Sequence, residues 1–385
     1  MATIRIPIGL LISVEGPYSA VSAGMLAGAL LAVEEVNSSG LGLRLDPITG
    51  NPQGDITRYA LIGEDMLASG IKHVVGCYTS SSRKEIIPLF EKADALLWYP
   101  SHYEGFESST NVVYTGPVAN QHLLPLIDYL LQNVGRTAFC VGSNYIWGWE
   151  NNRVMREAMA AAGGAVVAER YFAMGCTDFA QISQSILTER PSFVFNTLVG
   201  ISSYQFVREL RAACLARGID QPAVLPIASC TLSEPELQAI GSGAMDGHIT
   251  SSVYFSSIES PENARFLAAY KARYTDGQAV SADAEATYLA VRLLGMALAE
   301  AGTAEIGAVK QAVVRQVLKA PQGEVRIDSE TMHAALTPRI GCSRSDGKFE
   351  ILLEALRPVY ADPYLIRNSS RFSAVTNRPR LRIAS

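Results

Sequence analysis

Hydroxyl and aromatic side chains that could hold a small polar molecule gather where apolar runs end. "GCYTSSSRK" (76–84) puts Tyr78 and Ser80 after one such run, and "WYPSHYEG" (98–105) puts Tyr99, Ser101, His102 and Tyr103 after another. An amide or urea needs donors for its carbonyl oxygen and acceptors for its NH2 group, and hydroxyls supply both. Ser80 and the free N–H groups opening a helix over 82–92 are suited to donate to the carbonyl, with the helix dipole favouring the same polarity. Tyrosine hydroxyls and loop carbonyls then accept from the NH2, while the rings of Tyr99, Tyr145 or Trp147 cover the apolar part. An amino acid would want a buried acid for its ammonium group. Glu15 and Glu104 are the only candidates at these strand ends, so amino acids rank behind amides and ureas.

Other chemistries lack their residues. "SVEGPYSAVSAG" (13–24) stands where a dinucleotide fingerprint would follow the first strand, and there is no Walker A, HExxH or Gly-x-Ser-x-Gly sequence. The histidines at 73, 102, 122, 248 and 333 show no zinc spacing, so neither metal nor cofactor is expected. Cys77 ends a strand before a helix start, where a thiolate could be stabilised. Side chains alternate along a strand, so Cys77 and Tyr78 face opposite ways and Cys77 reads as a buried thiol. An amidase-type hydrolase is the enzyme alternative; no Glu/Lys constellation accompanies Cys77, and the chain reads as non-enzymatic.

The elements that must position these residues alternate between strand and helix. Strands are predicted at 4–13, 42–48, 73–77, 94–99, 111–115, 137–142, 165–172, 192–198, 223–229 and 248–254. Helices fall between them at 19–37, 56–70, 82–92, 120–133, 149–162, 178–189, 203–217 and 233–240, then at 261–274, 282–301 and 305–317. Ser82 and Ser233, each with a glutamate three residues on, have capping-box form. Ser82 would therefore explain the helix start and leave the Ser80 hydroxyl free for ligand. Two series of five strands predict two doubly wound α/β sheets, whose ligands sit beyond the carboxyl ends of the strands. Tyr145 and Trp147, Val199 and Gly200, Thr231 and Tyr254 occupy the corresponding ends of the second series.

The 385 residues exceed what one core usually serves, and 48% hydrophobic against 18% charged residues supports sizeable cores. A net charge of −5 with no Lys/Arg cluster argues against nucleic acid. Six scattered cysteines without a CxxC fit reduced thiols and a cytoplasmic protein. Arg5, the run Ile6–Val14 and "AVSA" (20–23) could pass for a signal peptide, which keeps a periplasmic location as the alternative. Pro7 and Gly9 break that run, which also reads as a buried first strand, and no run reaches the length of a membrane span.

The segments "GCYTSSSRK", "ADALLWYPSHYEGFE", "NVVYTGPVANQ", "GSNYIWGWENNRVMR", "VYFSSIESPEN" and "KAPQGEVRI" resemble the amide-binding sensors of aliphatic amidase operons. Less closely, they resemble urea- and short-chain-amide-binding proteins of ABC importers. The resemblance extends to about residue 367 and implies the type I periplasmic-binding-protein fold, with two lobes joined by three crossovers around a ligand cleft. It implies a cytoplasmic negative regulator that sequesters an antitermination protein and releases it when a small amide binds; an importer's solute-binding protein is the alternative. It places Tyr78 and Ser80 on the amide-gripping motif, Ser101 on a pocket position often held by threonine, and Tyr145 and Thr231 on second-lobe pocket positions. His102, in "YPSHYEG", and Trp147, in "GSNYIWG", depart from the family pattern and bear on ligand size. The expected lobes are 1–117 with 253–330, and 118–252 with 331–385. A homo-oligomer stays open.

Overall fold

The computed structural model describes residues 4–274, 277–366 and 374–376. Its strands are β1 (Ile4–Leu11), β2 (Leu43–Gly50), β3 (His73–Gly76), β4 (Leu96–Tyr99), β5 (Val112–Tyr114), β6 (Thr137–Ser143), β7 (Ala165–Phe172) and β8 (Phe193–Thr197). They continue with β9 (Ile227–Ser229), β10 (Ile249–Ser252), β11 (Leu318–Ala320), β12 (Gly323–Ile327), β13 (Ala334–Ala335), β14 (Arg339–Ser343), β15 (Phe349–Ala355) and β16 (Ala374–Thr376). The helices are α1 (Ser19–Ser38), α2 (Ile56–Ala68), α3 (Ser80–Lys92), α4 (Ala119–Asn133), α5 (Ile146–Ala161) and α6 (Ala180–Glu189). After them come α7 (Ile201–Leu215), α8 (Gln221–Val224), α9 (Glu234–Ile240), α10 (Pro261–Arg273), α11 (Ala282–Ala301) and α12 (Ile306–Val313).

One sheet runs β2-β1-β3-β4-β5, all parallel, and the larger one runs β16-β15-β14-β10-β9-β8-β6-β7. The parallel part of the second sheet, β7-β6-β8-β9-β10, repeats the order of the first. In both, the strand order reverses beside the first strand of the series, which opens a crevice at the carboxyl edge. Helices cover both faces, which is why β3 and β4 are buried at every residue and read as unbroken apolar runs. β14 and β15 extend the second sheet antiparallel.

The chain leaves the first sheet after β5, returns after β10 to α10 and α11 against α1, and enters the second sheet again at β14. Residues after 331 do not all follow the second lobe as expected. His333 pairs with Tyr114 of β5 and stacks on its ring at 4.1 Å, and Phe106 N–H donates to Pro363 O at 2.7 Å. Aromatic stacking and an otherwise unpaired edge hold these two stretches on the first lobe; the expectation for 367–373 and 377–385 lies outside the described residues.

Of the boundaries that differ from the pattern reading, two bear on the strand ends. Residues 221–224 form the short helix α8, with Pro222 in its first turn, so the expected strand from 223 begins only at Ile227. α3 starts at Ser80, not at 82, because Thr79 is its cap and accepts from Ser82 N–H at 3.2 Å. The run Ile6–Val14 supplies β1, an inner strand paired on both sides. Among the described residues α1 is the one helix long and apolar enough to cross a bilayer, and it lies along α11 in the first lobe's core.

The α1–α11 contact depends on Gly28, where an added Cβ would fall 2.3 Å from Ala284 O. Helix backbones this close leave no room to give. Gly28→Val is expected to destabilise the fold by about 1–3 kcal/mol or more, read as a lower urea midpoint; an unchanged midpoint would show that the helices can separate freely.

Candidate functional site

The carboxyl ends of the two sheets face each other, and a small enclosed cavity lies between them. Pro100, His102 and Asp283 line it from the first lobe; Thr231, Ser233 and Glu234 line it from the second, with Tyr254 at a connector. Asp283 stands in the first turn of α11, capped by Ser281. Its Oδ1 accepts from Ser101 Oγ at 2.9 Å and lies 3.6 Å from His102 Nδ1. Glu234 and Glu236 open α9, which puts two carboxylates on the facing edge. Glu234 Oε1 accepts from Ser256 N–H at 2.7 Å, while its Oε2 is buried without a partner. Glu236 Oε2 accepts from Ser233 N–H at 2.9 Å and Ser233 Oγ at 3.1 Å. Burial, and then the charge of Asp283 across the cleft, push its carboxyl up to about 8.

Tyr78 lies at the centre of the lobe contact. Its ring is 4.9 Å from Tyr18 and 6.1 Å from His102, edge-on to the latter. Burial raises its hydroxyl pKa, followed by the charges of Asp283 and Glu236, so groups from both lobes surround it. Cys77, with φ of +64°, turns the chain at the end of β3; its thiol is buried and pushed up to about 12, chiefly by desolvation. A thiol in that condition is a poor nucleophile.

His102 meets Trp147 of the second lobe, ring centroids 5.4 Å apart, and Trp147 is otherwise buried in that lobe's core. Val199 packs into the first lobe's core cluster beside Tyr18 and Tyr78. Gly200 caps α7 at φ 61° and ψ −133°, and Ile201 N–H donates to Pro17 O of the first lobe at 3.2 Å. A Cβ on Gly200 would lie 2.0 Å from that same carbonyl. The structure thus brings Tyr78, Ser101, His102, Trp147, Val199, Gly200, Thr231 and Tyr254 to the meeting face of the lobes.

Three expectations need correction. Tyr99 and Tyr103 do not cover a ligand: both are fully buried behind the strand ends, with their rings 4.8 Å and 4.4 Å from the Arg83 guanidinium. Strand alternation decides this, since Trp98 takes the other face of β4. The Tyr99 hydroxyl braces the strand ends instead, donating towards Tyr78 O (3.0 Å) and His102 O (3.3 Å). Nor is the Ser80 hydroxyl free, because it donates to Glu104 Oε2. Glu104 in turn pairs with Arg83 Nη2 at 3.1 Å, and Tyr145 of the second lobe comes near enough that the Glu104 charge raises its pKa, after burial.

Sequence reasoning missed Asp283, Glu234 and Glu236. The capping-box glutamate and the acid in the first turn of α11 have a sufficient local explanation at helix starts. Only the position of those starts at the sheet edges marks them as site residues.

Comparison with known proteins follows this geometry. The family model described as periplasmic binding protein domain matches residues 6–370, and the chain belongs to that family. Its architecture is the α/β type I periplasmic-binding-protein fold. A solute-binding protein of an ABC transporter from R. palustris, crystallised with 4-hydroxybenzoate, superposes with a TM-score of 0.82 at 21% identity, covering 90% of this chain and 95% of that one. The branched-chain amino acid transporter substrate-binding protein of Streptococcus pneumoniae, in complex with isoleucine, gives 0.77 at 20% identity, covering 90% and 98%. The leucine-, isoleucine-, valine-, threonine- and alanine-binding protein of Pseudomonas aeruginosa is 21% identical over 342 residues, 86% of this chain and 87% of that protein. A stretch of 126 residues is 27% identical to limonene hydroxylase of Geobacillus stearothermophilus; it covers 33% of this chain and only 23% of that enzyme. The superposed structural neighbours are solute- or substrate-binding proteins of transporters.

Gly200→Ala is expected to weaken ligand capture about tenfold or more, through backbone strain and the clash with Pro17 O. Titration calorimetry with acetamide or urea checks the affinity, and small-angle scattering should show the lobes further apart; parent-like affinity and shape would remove Gly200 from the closing contact. Glu236 sets a pH dependence. Its neutral form is favoured in the folded state, so this contribution is complete below about pH 4.5 and declines as pH rises towards about 8. Thermal unfolding should therefore show Glu236→Gln losing less stability than the parent between those limits; parallel curves would contradict the buried environment of Glu236.

Proposed function

We propose that this chain is a solute-binding protein that closes its two lobes over a small amide or urea-like molecule and hands it to an ABC-type importer outside the cytoplasm. The observation behind this reading is which polar side chains border the interlobe cavity, whose surface is otherwise mostly apolar. Its lining combines Asp283, Glu234, Thr231, Ser233 and His102 from both lobes, with no lysine or arginine among them. Arg83 lies behind Ser80, committed to Glu104 and Glu107. A carboxylate ligand would meet carboxyl groups with no lysine or arginine in the lining to answer it, and burying it so would be costly. An N–H-bearing ligand meets acceptors. The benzoate-bound neighbour shares the fold, and a shared fold leaves ligand choice to the side chains of the site.

Capture by closure needs contacts that only the joined lobes make, since a ligand shifts the equilibrium by its differential affinity for the two states. His102 against Trp147, and Ile201 N–H donating to Pro17 O, are contacts of that kind.

A second reading is an intracellular amide sensor that restrains an antitermination regulator. It is favoured by "GCYTSSSRK" and "YPSHYEGFE", which resemble that subfamily. Linkage separates the two: a regulator whose binding is weakened by amide must weaken amide binding by the same factor.

Urea and acetamide are expected to raise the melting temperature in a thermal-shift series, while benzoate and isoleucine leave it unchanged. At about 100 times Kd a ligand adds about 2.7 kcal/mol, well within detection. Stabilisation by benzoate or isoleucine and not by amide or urea would sink the ligand assignment.

A further inference from the structure

Glu234 borders the interlobe cavity with a carboxyl group that the fold leaves half satisfied. The residue is 1% exposed. Its Oε1 accepts from Ser256 N–H at 2.7 Å, and its buried Oε2 has no partner among the described residues. The titratable groups around it offer no cation of the lysine or arginine kind. His102 on the loop after β4, Cys230 after β9, Tyr254 on the connector and Asp283 on α11 line the same cavity, and Glu236 lies two residues on along α9. Burial raises the Tyr254 pKa, followed by the charges of Glu234 and Glu285, so Glu285 also faces this corner. A buried carboxylate in such company is costly, whereas the neutral acid has an O–H to give. Desolvation accordingly raises the Glu234 pKa, and the Ser256 N–H opposes that shift without cancelling it.

Other hydroxyl protons on the lining are engaged. Tyr254 donates to Asn263 Oδ1 at 2.8 Å and Ser233 to Glu236 Oε2 at 3.1 Å, while Thr231 shares a hydrogen bond with Ser229. We propose that Glu234 binds the ligand as a neutral carboxylic acid, its Oε2–H donating to the ligand's carbonyl oxygen. This rests on the amide-or-urea reading of the cavity and supplies the donor which that carbonyl requires. Ser256 N–H fixes the direction, because Oε1 must accept there and the proton is left to Oε2. The selected class is a compact neutral molecule with a carbonyl group. An amidinium ion of the same shape carries only N–H groups and has no acceptor for that proton.

Glu234→Gln reproduces one protonation state and not the other. With its oxygen held by Ser256 N–H, the glutamine turns its NH2 to the cavity and can only donate. Titration calorimetry with urea and acetamide, from about pH 5 to about pH 9, spans the range in which buried glutamates titrate. At the acidic end Glu234→Ala should bind both probes about tenfold or more weakly than the parent, and Glu234→Gln should restore most of that loss. As pH rises through the raised pKa of Glu234, the parent should lose affinity by at most about tenfold per pH unit. Glu234→Gln should not follow it. Glu236 and Asp283 are present in both, so the difference between the two profiles belongs to Glu234. Should Glu234→Ala fail to fold, that difference decides. Parallel profiles, or a Glu234→Gln as weak as Glu234→Ala, would mean that Glu234 is not a donor. Acetamidinium binding the parent more tightly than acetamide at the acidic end would mean the same, and parent-like affinity in Glu234→Ala would mean that the carboxyl does not touch the ligand. Each overturns the proposal and leaves the solute-binding reading standing. A parent that binds neither urea nor acetamide removes both.

Discussion

A guanidinium with no exposed surface organises the first lobe's half of the site. Arg83 has Glu104 and Glu107 as charged partners and two tyrosine rings as walls. Removing one partner from such a group leaves an uncompensated buried charge and costs about 3–5 kcal/mol. The loop 101–107 therefore cannot drift from α3, and Lys84 adds a tie to Glu107 at 2.6 Å. Everything the site presents from this lobe is carried by those two segments: Tyr78 and Ser80 ahead of the helix, Ser101 and His102 on the loop. The ion cluster lies behind the site and acts by fixing its geometry.

The second constraint is that two sheets of the same strand order turn their carboxyl edges towards each other. Each edge alone offers helix starts and strand-end loops; facing, they bring Asp283 of one lobe close to Glu236 of the other. The connectors keep that alignment. Arg339, nearly fully buried, donates to Val253 O on the second connector and to Thr337 O on the third at 3.2 Å, and reaches Gln322 O and Glu354 Oε1 at 2.9 Å. A single side chain thus joins two of the passages between the lobes. Desolvation lowers the Arg339 pKa, and Glu354 opposes that shift.

Much of this was legible in the chain. The alternation of apolar runs and helical patterns identified both five-strand series, because parallel strands covered on two faces read as unbroken apolar segments. The ends of those runs marked Tyr78, Ser101, His102, Thr231 and Tyr254, since doubly wound sheets bind ligands there. Local capping chemistry was misread once: Thr79 outcompeted Ser82, and both positions carry the same kind of hydroxyl two to three residues from a free N–H. Short-range rules cannot rank two such caps.

What the sequence by itself determined is the set of strands, the helices between them and the sheet edges where doubly wound folds hold ligands, because these follow from periodicity and chain direction within a few tens of residues. Only the tertiary structure decided which hydroxyls are free and which are spent. Ser80 and Glu104 are 24 residues apart, and Ser101 and Asp283 are 182 apart. It likewise turned Tyr99 and Tyr103 from expected ligand-binding residues into the walls of Arg83. It also made Glu234, Glu236 and Asp283 site residues, though each looks locally like an ordinary helix-start acid. A hydrogen bond has a direction, and the direction of a serine's proton depends on the acceptor that folding brings beside it, which no local pattern specifies.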